Sequence, residues 1–148
     1  MDKRAVGIVI KEGKILLIRR FRGERDGWTK GWYYVFPGGG VEEGETAEEG
    51  CVREMKEELS LNVKIEKLLF VMHNPAKVHN FCGRDEYFYL ITDFSGKVEL
   101  GGPEKERMNE NDQYHLDWIS ISEMKNMNTL YPEKAKDKII DILQETKN

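Results

Sequence analysis

The sequence predicts an α/β fold in which amphipathic helices cover a mixed β-sheet. Three observations carry this. Runs rich in β-branched and aromatic residues recur between polar or glycine-containing turns, a capped glutamate-rich segment interrupts them, and apolar residues return at helical spacing near the end. The 148 residues suit a single domain spanning 1–148 with a sizeable core, and 39% hydrophobic with 34% charged residues describes a soluble globular chain.

In order, Arg4 to Ile10 and Ile15 to Arg20 are strand-forming, and Lys11-Glu12-Gly13-Lys14 between them reads as a hairpin turn that keeps both strands in one sheet. Arg19, Arg20, Arg22 and Arg25 follow where the strand gives way to a polar, glycine-containing loop. Such a cluster suits a phosphate clamp, although Arg20 reads equally well as a solvated surface charge and the other arginines read better as one. Trp32-Tyr33-Tyr34-Val35-Phe36 is a third strand, with Trp32, Tyr34 and Phe36 on one face. Pro37 and the three glycines after it end that strand.

Thr46 and, three residues on, Glu49 form a capping box and start a helix that runs to about Leu59. At 100° per residue, Glu54, Glu57 and Glu58 fall within a roughly 100° arc. Cys51, Val52, Met55 and Leu59 fill the neighbouring arc as an apolar stripe, and Glu49 and Lys56 face water. Carboxylates at these spacings repel one another unless something positive sits among them. An all-oxygen cluster suits Mg²⁺, with Mn²⁺ as a substitute; taken alone, the same pattern is an acidic solvated face.

Beyond this helix, Val63 to Val71, Glu86 to Ile91 and Tyr114 to Ile119 read as strands. Ser120 and Glu123 start a short helix. Ala135, Ile139, Ile142 and Leu143 form the apolar stripe of a terminal helix that covers a face of the sheet. The charged, non-periodic stretch from Gly101 to Gln113 is a surface loop.

The net charge is −4, yet the segment from Glu42 to Glu58 alone carries −6 and leaves +2 for everything else. The acidity is therefore local, and no extended nucleic-acid-binding face is present. Two cysteines are too few for a disulfide framework, and His73, His79 and His115 lack paired metal spacing, so zinc is not indicated. No apolar run has membrane length and no leader pattern is visible, which makes the cytoplasm the expected location.

The stretch from Gly39 to Leu61 resembles the Nudix box, G-x5-E-x7-R-E-U-x-E-E-x-G-U with U apolar, through Gly39, Glu45, Arg53, Glu54, Met55, Glu57, Glu58 and Leu61. Ser60 stands where the family has its second glycine, a position after a helix that often needs φ > 0. The resemblance implies a Nudix-type α/β/α sandwich and a Mg²⁺-dependent pyrophosphohydrolase acting on a nucleoside diphosphate linked to another group. It implies Glu54, Glu57, Glu58 and the Gly38 carbonyl as metal ligands, Arg53 as a second support of a box glutamate, and Glu45 in that network or stabilising only the loop. Arg20 becomes a substrate contact by the same resemblance, and Phe36 a candidate for either the nucleoside pocket or the core. The general base is a box glutamate or one of Glu104, Glu106 and Glu110 on the late loop.

The expected substrate is a small-molecule nucleotide, first a nucleoside triphosphate giving monophosphate and pyrophosphate. ADP-ribose, a nucleotide sugar or a dinucleotide is the alternative, and a non-catalytic nucleotide sensor the alternative of another class. A monomer or a homodimer is expected.

Overall fold

The computed structural model describes residues 2–22, 31–74, 83–101, 108 and 112–145. Strands β1 (Asp2–Lys11) and β2 (Lys14–Arg22) are joined by the two-residue turn Glu12-Gly13, both with positive φ (52° and 76°). This is the backbone twist that suits a tight hairpin, and Gly13 takes it without steric cost. The two strands pair only beside the turn, at Ile10↔Ile15 and Lys11↔Lys14.

From there they part. The edge of β1 passes to β4 (Gly38–Gly40) at Arg4 to Val6, while that of β2 passes to β3 (Gly31–Val35) at Ile18 to Arg22. The chain crosses from one side of the resulting wedge to the other through Phe36-Pro37, where the Pro37 carbonyl accepts from Gly7 N at 2.9 Å. On their outer edges, β1 pairs in parallel with β7 (Arg84–Ile91), and β2 antiparallel with β9 (Asp112–Ser120). Strand β6 (Lys67–Asn74) adds to β7, and β10 (Leu130–Tyr131) runs parallel to β3, so the sheet is mixed as expected.

Both faces are covered. Helix α1 (Ala47–Leu59) buries Cys51, Met55 and Leu59 against Ala5, Val9, Leu16, Tyr89 and Ile91. On the other side, Ala135 and Ile139 of α3 (Glu133–Glu145) cover Val6, Ile8, Ile15, Leu17 and Phe88. Alternate residues of β1 and β2 thus enter opposite cores, which is why these strands read as nearly continuous apolar runs. A four-residue helix α2 (Ile121–Met124), capped by Ser120 Oγ accepting from Glu123 N at 3.2 Å, precedes β10.

Several expectations are corrected. The stretch from Val63 to Val71 is not one strand: β5 (Asn62–Lys64) pairs with β8 (Asp93–Ser95) in a separate two-stranded sheet, and the chain then turns into β6. Gly38 to Gly40 do not merely end a strand but form β4 against β1. Trp32 and Phe36 differ in burial: Phe36 is buried edge-on against Phe88, whereas Trp32, beside Arg19 and Phe21 of β2, is exposed. Val52 lies outside the apolar stripe and is exposed, since a 100° step from Cys51 carries it past the core margin.

Candidate active site

The capping box forms as expected, with Thr46 Oγ1 accepting from Glu49 N at 3.0 Å and Glu49 Oε1 accepting from Thr46 N at 2.8 Å. That cap fixes where α1 begins, and so which side chains face β4. Arg53 is the hub of the polar cluster between them. Its Nη2 and Nε fork onto Glu45 at 2.7 and 3.2 Å, Nη2 also donates to the Gly40 carbonyl at 2.8 Å, and Nη1 donates to Glu54 at 3.0 Å and Glu57 at 3.1 Å.

One guanidinium therefore ties the loop before the helix to two carboxylates on it. Such charge-assisted contacts restrict rotamers as well as adding energy. Glu45 also accepts from Glu42 N at 2.8 Å. The hydrogen bond from Arg53, with that backbone donor second, holds the Glu45 carboxyl below its usual range. In turn these partners, Glu45 foremost, push the Arg53 guanidinium further into its protonated form.

Glu54 shifts the other way. Burial is the main cause and raises its pKa, with the Arg53 contacts partly offsetting it and Glu57 adding to it. Its carboxyl lies against Gly39 so closely that a Cβ on residue 39 would fall on the Glu54 carboxylate itself. Glycine is required there for close approach, not for an unusual φ. Glu58 is buried, at 7% exposure, in the same arc as Cys51 and Met55, whereas Glu57 is exposed. Among the described residues, no three acidic, histidine or cysteine side chains already surround a common point; Arg53 stands between Glu45, Glu54 and Glu57.

Ser60 occupies the left-handed region at φ 62°, the conformation for which the motif has glycine, and its N–H donates to the Lys56 carbonyl at 3.1 Å. The helix end is thus kept without the glycine. Ser60 Oγ donates to the Glu99 carbonyl at 3.1 Å, which ties this turn to the following segment.

Two clefts adjoin the cluster and share Arg4 and Arg84. The larger, about 620 Å³, lies between the starts of β1 and β7 and the loop carrying Glu42 and Glu45. The smaller, about 330 Å³, opens between the parted strands, with Val6, Phe36, Phe88 and Tyr131 as its apolar walls and Arg20 on its rim. Arg20 donates to Tyr114 Oη at 2.6 Å and stacks over the Tyr114 ring at 4.4 Å. Gly38 sits beneath, its carbonyl accepting from Arg4 Nη2 at 3.5 Å.

The structure thus brings together Gly38, Gly39, Glu45, Arg53, Glu54 and Glu57, and places Arg20 and Phe36 at the neighbouring cleft. Arg19 is elsewhere: on the opposite face of β2 it pairs with Asp117 at 3.2 Å and stacks on Trp32. The Arg22 side chain, Arg25, and the three late-loop glutamates Glu104, Glu106 and Glu110 lie outside the described residues. Sequence reasoning missed Arg4, Arg84 and Glu86. Their signal is the alternation Arg84, Glu86, Phe88 on one face of a strand otherwise apolar, which puts charge where a core residue is due.

A mixed sheet between two helices, with an arginine-gathered glutamate cluster beside a cleft, defines an α/β sandwich with a polar site on one helix face. The chain belongs to the Nudix family, whose domain model matches residues 1–140. It is 46% identical over 71 residues to an ADP-ribose pyrophosphatase of Methanocaldococcus jannaschii, covering 48% of this chain but only 39% of that protein's length. It is 33% identical over 105 residues to an 8-oxo-dGTP diphosphatase of Haemophilus influenzae, covering 66% of this chain and 70% of that protein. A MutT protein from Methanosarcina mazei has a similar fold, with a TM-score of 0.72, 20% identity and coverage of 99% and 96% of the two chains. A MutT NUDIX hydrolase from Burkholderia pseudomallei superposes with a TM-score of 0.62 at 26% identity, covering 82% and 84%.

Proposed function

We propose that the protein is a divalent-metal-dependent pyrophosphohydrolase that cleaves a P–O–P bond of a nucleoside triphosphate, releasing the monophosphate and pyrophosphate. The observation that carries this reading is the grip of Arg53 on Glu54 and Glu57 beside a cleft rimmed by arginines.

The residues fit a hard divalent cation. All donors are oxygens, burial leaves the Glu54 carboxylate in need of positive charge, and the missing Cβ of Gly39 keeps a cradle open beside it. Glu54, Glu57, Glu58 and the Gly38 carbonyl would hold Mg²⁺, or Mn²⁺ in its place. When bound, the ion supplies stabilisation of developing phosphate charge and a lower pKa for water.

The chain's own residues do the rest. Arg53 fixes the carboxylates so that their geometry does not have to be found anew at each turnover. Arg4, Arg20 and Arg84 offset the charge of the polyphosphate, and Phe36 with Tyr131 offers apolar surface to the nucleoside. As water oxygen attacks phosphorus and the bridging P–O bond breaks, the water's proton passes to a carboxylate oxygen of the cluster that neither Arg53 nor the cation holds. Gly39 and Glu45 support the loop, and one Nudix unit in the cytoplasm accounts for the chain.

The similarity to an ADP-ribose pyrophosphatase favours a second reading, ADP-ribose cleaved to AMP and ribose phosphate. Chromatography of products from a nucleotide panel, with Mg²⁺ and with EDTA, separates the two. Pyrophosphate beside a monophosphate, formed only with metal, is the expected result. Ribose phosphate with triphosphates untouched gives the second reading, and equal turnover in EDTA overturns both.

A further inference from the structure

The smaller cleft contains an acid that the reaction does not require. Glu86, on β7, is 7% exposed and is, among the described residues, the one carboxylate lining a pocket that otherwise presents arginines and apolar side chains. An anion so placed repels the phosphates of any nucleotide, and a buried carboxylate must have hydrogen-bond donors to be tolerated.

Among the described residues its partners are one hydrogen bond and one longer ion pair, on opposite oxygens. Asn74 Nδ2, on the neighbouring strand β6, donates to Oε1 at 2.8 Å and fixes the carboxylate plane. Oε2 has Arg4 Nε at 3.8 Å, beyond hydrogen-bond reach, and Arg4 turns its Nη2 toward the Gly38 carbonyl instead. A carboxylate has about four acceptor positions, so the face toward the pocket still calls for donors.

We propose that Glu86 is the residue that reads the base, and that the nucleoside it selects is guanosine or deoxyguanosine. This rests on the reading of the chain as an enzyme for nucleoside phosphates. An ionised carboxylate only accepts, so it selects an edge that only donates. Guanine offers N1–H and N2–H₂ side by side, a fork like that of a guanidinium, which a carboxylate meets with both oxygens. Adenine offers N6–H₂ beside the N1 lone pair, and that lone pair would face the carboxylate. Phe36, Phe88 and Tyr131 supply apolar surface for the ring, and Arg4, Arg20 and Arg84 take the phosphates.

Titration calorimetry with GMP and AMP tests this without relying on turnover. The wild-type protein is expected to bind GMP at least about tenfold more tightly, the discrimination that leaving a buried acceptor unpaired produces. Glu86→Gln keeps size and offers one donor beside one acceptor, so the ratio should fall to about one or invert toward AMP. If that variant does not fold, Asn74→Ala, which frees the carboxylate to rotate, should lower the same ratio by a smaller factor.

Wild-type binding that favours AMP, or that is absent for both nucleotides, overturns the inference. So does a ratio that Glu86→Gln and Asn74→Ala leave unchanged. Hydrolysis of the panel without base preference removes only this inference, whereas selective GMP binding without any hydrolysis removes only the proposed activity.

Discussion

At Gly39 a single hydrogen atom where other residues have a methyl group decides whether the Glu54 carboxylate can lie against the loop. Gly39→Ala places a Cβ on that carboxylate. The displaced atoms are the end of a flexible side chain, so stability should change by no more than about 1 kcal/mol while kcat falls by about tenfold or more. Melting curves beside steady-state kinetics check both halves, and an unchanged kcat would remove Gly39 from the site. Glu57→Gln keeps shape and removes one charge from an exposed position. It should cost about a hundredfold in kcat at saturating Mg²⁺, with no loss of melting temperature. Wild-type rates there would return the helix face to a solvated acidic surface.

Among the elements, α1 was the most legible, because its start depends on a local capping box and its face on a fixed residue spacing. Its end is instructive. Ser60 adopts φ 62°, which costs a residue with a Cβ about 1–2 kcal/mol. Ser60→Gly removes that cost but gives up the bond to the Glu99 carbonyl and loosens the unfolded chain, so a net gain of about 0.5 kcal/mol is expected. Ser60→Val should lose about 1–2 kcal/mol, and urea titration of both variants tests the pair. Other elements were less legible for physical reasons. The break between β5 and β6 falls at Ile65-Glu66, with no glycine or proline to mark it, and β8 and β10 are too short to show periodicity. That Phe36 is buried while Trp32 is exposed depends on the packing of Phe36 against Phe88, which no local pattern encodes. The box residues were readable as a set, whereas Arg4, Arg84 and Glu86 come together only when β1 and β7 pair in parallel.

For the whole molecule, the clefts are consequences of how β1 and β2 separate. Arg20 reaches the rim because β2 leaves β1 after two residue pairs, and Tyr114 and Tyr33 on the flanking strands hold its guanidinium. Arg20→Ala should lower kcat/KM for the best substrate by about tenfold, or roughly 1.4 kcal/mol, with the metal requirement unchanged. An unchanged kcat/KM would leave Arg20 as a structural partner of Tyr114. The hairpin that begins this separation has a further consequence for descent. Its turn at Glu12-Gly13 is a fixed spine, and the walls of the smaller cleft stand at the opposite, open end. A lineage can therefore exchange residues at the mouth, and with them the proposed substrate, while inheriting unaltered the helix that carries the box glutamates.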